Sequence, residues 1–302
     1  MTLQFLADGL VAGTIIALGA IGVTLTYSIL RFANFAHGEL LTWGSYLTVG
    51  IAGVIGALAT GSLSPLEPLS VGWNVPVAGL VAMVLTGALA LVLDVVVFSR
   101  LRERGVAVTA VMASFGASMA LRALLEVLYT SRPRYYTQEL QIAMPVGLGI
   151  RVTPDQLGLL LVTAVLVAAL HALLTRTAIG RSMRAVSENR TLAKVVGIDV
   201  ARMIRVTWLI GGALACASGV MLGLLVQIRP SMGAELLLPL FAAAILGGIG
   251  SVPGALVGGL VVGIAEAAAV QLVGAEWRAA VAFIVLISVL LVRPTGLFGR
   301  SA

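Results

Sequence analysis

The chain has 302 residues, of which 60% are hydrophobic and only 11% are charged. A soluble domain carries roughly 25% charged residues, so this composition excludes a soluble globular fold. The 19 basic residues outnumber the 13 acidic ones, but the excess falls in a few short connections rather than on one continuous face, which argues against nucleic acid as a partner.

Long apolar runs recur from one end of the chain to the other. Crossing about 30 Å of hydrocarbon takes about 20 helical residues, so these runs predict an all-α integral membrane protein, a polytopic bundle of about eight to ten transmembrane spans that forms one domain over residues 1–302. The seventh run is short and is joined to the eighth by a Ser-Val-Pro-Gly turn, so 236–273 is a candidate for a broken or re-entrant pair. The predicted spans are 3–29, 38–59, 75–98, 106–128, 154–174, 203–226, 236–250, 252–273 and 277–292.

Arginine and lysine predict the orientation, because basic residues near span ends are retained in the cytoplasm. The connections at 100–104 and 176–205 are rich in them, which predicts a cytoplasmic C-terminus and a periplasmic N-terminus in a bacterial inner membrane. The segment 129–153 is the exception, because its arginines would lie outside. These are Arg132, Arg134 and Arg151.

Small residues lie four apart in the first and eighth spans, as in Gly9, Gly13 and Ala17. Such spacing lets helix backbones approach closely. Packing alone and a pathway or hinge role are both open for these glycines. The candidates for a pathway or gate are Gly247, Gly248 and Gly250.

Three polar residues, Asn34, His37 and Glu39, precede or begin the second span. They could cap a helix end and bond free backbone groups. The alternative is a broken helix that forms a cytoplasmic gate.

Charged residues at membrane depth are costly unless paired or hydrated, and so are candidates for function. Arg122 and Glu126 lie four apart and are predicted to form a structural ion pair. Asp94 is expected to reach the interface near Arg100. Glu266 lacks a local partner and is either a pathway residue or bonded to a neighbouring helix.

The connection 176–205 predicts a short amphipathic helix. Gly180 suits the end of the fifth span, Ser187 suits an N-cap, and Gly197 suits the residue after the helix. Three residues on one face are apolar and need a partner to cover them, either another protein or a lipid surface. These are Leu192, Val195 and Val196.

The residue inventory argues against an enzyme. The two histidines are far apart, there is no HExxH or GxSxG motif, and the single lysine, Lys194, follows alanine rather than the glycine of a Walker A loop. The single cysteine, Cys216, lies in an apolar run and supports neither a disulfide nor a metal cluster.

Four segments together resemble the permeases of branched-chain amino acid ABC transporters, the leucine/isoleucine/valine type, and are closer to the H-type than to the M-type subunit. They are Ile29–Glu39, Gly180–Val186 continued by Ala193–Ile198, Ala244–Ala255, and Arg293–Gly299.

The resemblance implies a complex with a second permease of the M type, two cytoplasmic ATPase subunits that bind ATP and magnesium, and a periplasmic substrate-binding protein. This chain would then need no cofactor and would do no covalent chemistry. The resemblance places 180–198 in a groove of an ATPase as a coupling loop, within which the candidate residues are Gly180, Arg181, Arg184, Ala185, Glu188, Leu192, Gly197 and Ile198.

The implied function is import of branched-chain or related aliphatic amino acids. An importer of urea or short amides is an alternative, as is a secondary transporter that works without ATPases. A secondary transporter would be expected to carry a buried relay for ion coupling, and only Glu266 stands isolated deep in a span. A membrane scaffold would need neither the basic amphipathic loop nor the glycine-rich turn.

Overall fold

The computed structural model describes residues 3–58, 67–103, 107–137, 141–147, 149–293 and 295–299, and these are predominantly helical. Helix α3 continues through a π turn, Asp94–Phe98, into α4, and a 3-10 turn, Ala275–Trp277, precedes α12. The helices are α1 (Gln4–Leu30), α2 (His37–Leu58), α3 (Asn74–Leu93), α4 (Ser99–Glu103), α5 (Ala107–Tyr129), α6 (Pro154–Arg176), α7 (Ala178–Glu188), α8 (Arg190–Val195), α9 (Val200–Leu225), α10 (Met232–Gly247), α11 (Val252–Leu272) and α12 (Arg278–Val292). Two short strands, β1 (Met144–Gly147) and β2 (Ile150–Val152), form an antiparallel hairpin.

Eight helices of the described residues are long and apolar enough to cross a membrane, with α3 and α4 counted as one and α12 counted with its 3-10 turn. This confirms the all-α polytopic prediction. The pair predicted as broken or re-entrant comprises a continuous 21-residue helix, α11, and a 16-residue helix, α10, with Pro239 inside it. At 1.5 Å per residue α10 is about 24 Å long, somewhat short of the hydrocarbon thickness.

The two ends of the bundle are identified by contacts of α1. At its start, the Gln4 side chain accepts a hydrogen bond from the Arg151 backbone N–H at 2.8 Å. Just after its end, Arg31 donates to the backbone oxygen of Ser187 in α7. The β hairpin therefore lies at one end of the bundle, and α7 lies at the opposite end.

Helix α1 is the centre of the bundle and packs most closely against α11. A Cβ built on Gly13 would lie 2.8 Å from the Cα of Leu260, and one built on Gly259 would lie 2.5 Å from the Cα of Ala17. Since carbon atoms pack at about 3.5–4.0 Å, these positions hold nothing larger than glycine without displacing a backbone. Close packing accounts for the small residues of the first and eighth spans.

The connection between α6 and α9 contains two short helices instead of one. Thr177 caps α7 by accepting from the Gly180 N–H at 3.1 Å, and Asn189 caps α8 by accepting from the Leu192 N–H at 3.0 Å. The predictions that Gly180 ends the fifth span and that Ser187 is an N-cap are therefore wrong, because both residues lie inside α7. Gly197 follows α8 with φ of +84°, which confirms its predicted position.

Candidate functional site

The segment that joins α1 to α2 lies inside the bundle rather than at its surface. The His37 imidazole lies against Gly22, where a built Cβ would approach its Cε1 to 2.8 Å, and Gly22 is about 12 Å before the end of α1. The Phe35 N–H donates to Ser114 Oγ at 3.1 Å, and Ser114 is about 10 Å into α5. Irregular backbone at such depth is tolerated only where protein buries it or water lines it.

The polar residues of this segment are almost fully buried, with exposed fractions of 3% for Asn34 and 1% each for His37 and Glu39. Asn34 Oδ1 accepts from the Ala36 N–H at 3.1 Å, which closes a local turn just before α2. Its Nδ2 and both imidazole nitrogens of His37 make no hydrogen bond of normal geometry within the described residues. The segment thus holds buried polar atoms without such a bond, about one-third of the way along the neighbouring helices.

Glu39 forms an ion pair with Arg122 of α5, with 2.9 Å between Oε1 and Nη2. The predicted pair of Arg122 with Glu126 is therefore wrong. Glu39 is buried and needs a cation, whereas Glu126 is exposed. Among the ion pairs of the described residues, none includes Glu126.

Two further buried carboxylates have arginine partners. Asp94 pairs with Arg102 at 2.8 Å, two residues beyond Arg100 and across the π turn. Glu266 pairs with Arg278 at 2.8 Å, across the turn between α11 and α12. This partner supports the interpretation of Glu266 as bonded to a neighbouring helix, and sequence reasoning missed it because the pair is not on one helix.

An exposed stripe of α5 adjoins the buried segment. Met112, Phe115 and Met119 are 66%, 54% and 61% exposed, and Arg122 and Glu126 continue the same three-and-four spacing. The Phe115 ring packs edge-on against Phe35, with 6.3 Å between ring centroids. We call Met112, Phe115, Met119, Arg122 and Glu126 the α5 stripe.

The glycines proposed for a gate lie at the turn between α10 and α11. Gly248 and Gly250 have φ of +95° and +93°, a conformation that favours glycine. The Gly250 N–H donates to Thr24 Oγ1 of α1 at 2.7 Å. Gly247 is the last residue of α10, and its carbonyl accepts from the Phe298 N–H at 3.1 Å. The turn is therefore held to both α1 and the C-terminal segment.

A cavity of about 560 Å³ opens between this turn, the end of α1, α6 and α7. Gly250, Arg31, Arg184, Glu188 and His171 are among the residues that line it. It brings the turn glycine Gly250 and two predicted coupling residues to one place, although they are far apart in sequence.

Helices α7 and α8 are amphipathic and lie at the end of the bundle where α1 ends. Their inner faces bury Gly180, Met183, Val186 and Ala193 against the bundle. Burial lowers the pKa of the Arg190 guanidinium, and the nearby charges of Arg102 and Arg31 lower it further.

The outer surface of these helices carries the predicted coupling residues. Ala185 and Ile198 are half-buried, and the others apart from buried Gly180 are exposed, namely Arg181, Arg184, Glu188, Leu192 and Gly197. Three apolar residues in α8 and at its C-cap are also exposed, with fractions of 59%, 78% and 64%. They are Leu192, Val195 and Val196, which we call the α8 apolar face.

Known proteins resemble the chain over nearly its whole length. A family model described as the permease component of a branched-chain amino acid transport system matches residues 5–290. The high-affinity branched-chain amino acid permease LivH of Escherichia coli K12 is 34% identical, with 99% of this chain and 96% of that protein covered. BraD of Pseudomonas aeruginosa is 33% identical with the same coverage, and a probable LivH of Methanocaldococcus jannaschii is 25% identical over 98% of this chain and 92% of that protein.

No solved structure matches the chain significantly. The match to the family model and the relatives at 33–34% identity agree over the full set of helices. The chain is a multi-pass membrane protein and belongs to the family of permease components of branched-chain amino acid transport systems.

Proposed function

We propose that this chain is the transmembrane permease subunit of an ABC importer for branched-chain or related aliphatic amino acids. It forms part of the translocation pathway and couples to separate ATPase subunits, which bind ATP and magnesium. The other partners are a second permease, of the M type, and a periplasmic substrate-binding protein. Family membership supports this class over urea or short-amide importers and over ATP-independent carriers.

The observation that carries the coupling proposal is the α8 apolar face. It lies outside the long apolar helices, at one end of the bundle, and its three residues are more than half exposed. An apolar patch rimmed by arginines is typical of a protein interface. Helix α7 is also tied to α1 through Arg31 and Ser187, so a force on α7 and α8 reaches the centre of the bundle.

The distribution of charge supports an orientation with this end in the cytoplasm. The end that contains α7 and α8 also holds Arg31, the α4 arginines and Arg293, whereas the opposite end holds the fewer arginines at 132–151, Arg229 and Arg278. By the rule that cytoplasmic ends are the more basic, the N-terminus is periplasmic and the C-terminus is cytoplasmic. A bacterial inner membrane is the expected location.

The test is co-purification of the tagged chain with its ATPases, followed by ATP hydrolysis with and without the binding protein. Val195→Asn removes part of the α8 apolar face, whereas Lys194→Asn alters the same helix away from that face. We expect Val195→Asn to lose the ATPases and the stimulation by the binding protein, and Lys194→Asn to keep both. Equal retention of the ATPases by both variants would contradict the proposed coupling surface.

Two more variants test the geometry of the connection. Gly197→Pro is incompatible with φ of +84°, because proline fixes φ near −65°. Arg184→Glu reverses an exposed charge beside the 560 Å³ cavity. Both should reduce stimulation of ATP hydrolysis while the chain still inserts in the membrane. Normal stimulation in both variants would mean that another surface couples the ATPases.

A further inference from the structure

The α5 stripe places charge at membrane depth on an outer surface of the chain. Arg122 is about 22 Å from the start of α5 and about 10 Å from its end, and its side chain is 33% exposed. Glu126 is exposed one turn further along. A charge that faces lipid near the bilayer centre is strongly unfavourable, so this side of α5 faces water or another protein.

The remaining surface of α5 contrasts with the stripe. Leu124, Val127 and Leu128 are 49%, 80% and 60% exposed and are purely apolar, which suits contact with lipid. Leu121 and Leu125 are buried against the bundle. Charge is therefore confined to one side of the helix, the side that adjoins Phe35 and the buried segment before α2.

The ion pair with Glu39 occupies only part of the Arg122 guanidinium. Among the described residues, one guanidinium nitrogen, Nη2, bonds to Glu39, and Nε is buried without a hydrogen bond. Arginine has five N–H donors in a planar fork that fits a carboxylate. Because Glu39 rather than Glu126 holds Arg122, the stripe combines a partly exposed arginine with a separate, exposed carboxylate that has no ion pair among the described residues.

We propose that the α5 stripe binds the amino acid as it passes through the membrane, an inference that rests on the proposed function. Arg122 binds the substrate carboxylate and Glu126 binds its ammonium group. Side chains four apart on a helix have Cβ atoms about 5–6 Å apart, close enough to converge on the two charges of one zwitterion. Glu39 is a positioning residue that holds Arg122.

The apolar half of the stripe suits an aliphatic side chain. Met112, Phe115 and Met119 continue the line of Arg122 towards the end of the bundle where α7 lies. Methionine is unbranched and polarizable, so it packs against side chains of different shape. One surface of this chain would thus accept leucine, isoleucine and valine with a shared contact to their common charges.

The experiment is leucine uptake by the complete complex in proteoliposomes, expressed as leucine transported per ATP hydrolysed. Glu126→Gln removes the free carboxylate, and the double variant Arg122→Gln with Glu39→Gln removes the arginine without leaving a buried carboxylate alone. Since each loses a charge-assisted contact, we expect the ratio at limiting leucine to fall about tenfold. Leu124→Ala, on the apolar side of α5, should leave the ratio unchanged.

Several outcomes would overturn the inference. A normal ratio in both charge variants would show that the stripe does not contact substrate. Loss of the second permease on purification would assign the stripe to the interface between permeases, and a lower thermal midpoint with a normal ratio would assign it to stability. Absence of ATP-dependent leucine uptake by the wild-type complex would overturn the proposed function itself, whereas normal wild-type uptake with unaffected variants would overturn only this inference.

Discussion

Replacement of Gly13 by alanine tests the close contact between α1 and α11. The new Cβ would lie 2.8 Å from the Cα of Leu260 and 3.0 Å from the carbonyl oxygen of Gly259. Carbon atoms normally pack at about 3.5–4.0 Å, so the helices must separate by about 0.7–1.2 Å. Overpacking of this kind costs about 1–3 kcal/mol.

Alanine also has an intrinsic advantage over glycine within a helix of about 0.5–1 kcal/mol. The net loss for Gly13→Ala is therefore about 0.5–2 kcal/mol. Gly116 of α5 provides a matched control, because nothing lies within 4 Å of its built Cβ. Gly116→Ala should gain the intrinsic term without the overpacking cost.

The assay is the thermal midpoint of the purified chain, followed by loss of the monodisperse peak in size-exclusion chromatography. We expect Gly13→Ala to fall below the wild type and Gly116→Ala to match or exceed it. On the scale of about 2–4 °C per kcal/mol, the two variants should differ by several degrees. Equal midpoints for the two variants would refute the close approach of α1 and α11.

Three other substitutions test separate contacts. Arg278→Gln leaves the buried carboxylate of Glu266 without its partner, at a cost of about 3–5 kcal/mol. Glu266→Gln should cost less, because it leaves an arginine that is 55% exposed and can reach water. A lower thermal midpoint for Glu266→Gln than for Arg278→Gln would contradict this ion pair. Trp43→Phe removes the 3.1 Å hydrogen bond from the indole N–H to the Leu121 carbonyl. The loss should cost about 0.5–1.5 kcal/mol and lower the thermal midpoint. An unchanged midpoint would exclude a contribution from this bond. Gly197 has φ of +84°, a left-handed conformation that asparagine tolerates better than alanine does. Retention of the ATPase subunits should therefore decrease in the order glycine, asparagine, alanine at this position. Better retention with alanine than with asparagine would argue against a role for this conformation.

The membrane helices could be predicted from sequence because hydropathy is a local property. The first span, predicted at 3–29, is α1 at Gln4–Leu30, and the eighth, at 252–273, is α11 at Val252–Leu272. The seventh span begins four residues earlier than predicted. Glu235 lies in the first turn of α10, where Arg229 and Ser231 pair with it, so a charge that suggested a loop is part of the helix.

The partners of the buried charges could not be predicted, because they depend on which helices become neighbours. Arg122 has Glu126 four residues away, yet it pairs with Glu39, which is 83 residues away in sequence. The depth at which α2 begins could not be predicted from sequence, for a related reason. Polar residues such as Asn34 and His37 suggest an aqueous connection, but here they are buried by α1 and α5.

The connection between α6 and α9 contains a sequence signal for its division into two helices. Asn189 is a favourable N-cap residue and separates α7 from α8. The position of Gly197 could be predicted, since glycine is the usual residue just after a helix. The exposed apolar face of α8 was also predicted, because spacing along a helix determines which residues share a face.

ATP-dependent leucine uptake by proteoliposomes tests the proposed function most directly. The vesicles would contain this chain, the second permease and the ATPases, with the binding protein added on the substrate side. We expect uptake to require ATP hydrolysis and to be lost in Val195→Asn but retained in Lys194→Asn. Leucine uptake by this chain without any ATPase, driven by an ion gradient, would contradict the proposal and identify a secondary carrier.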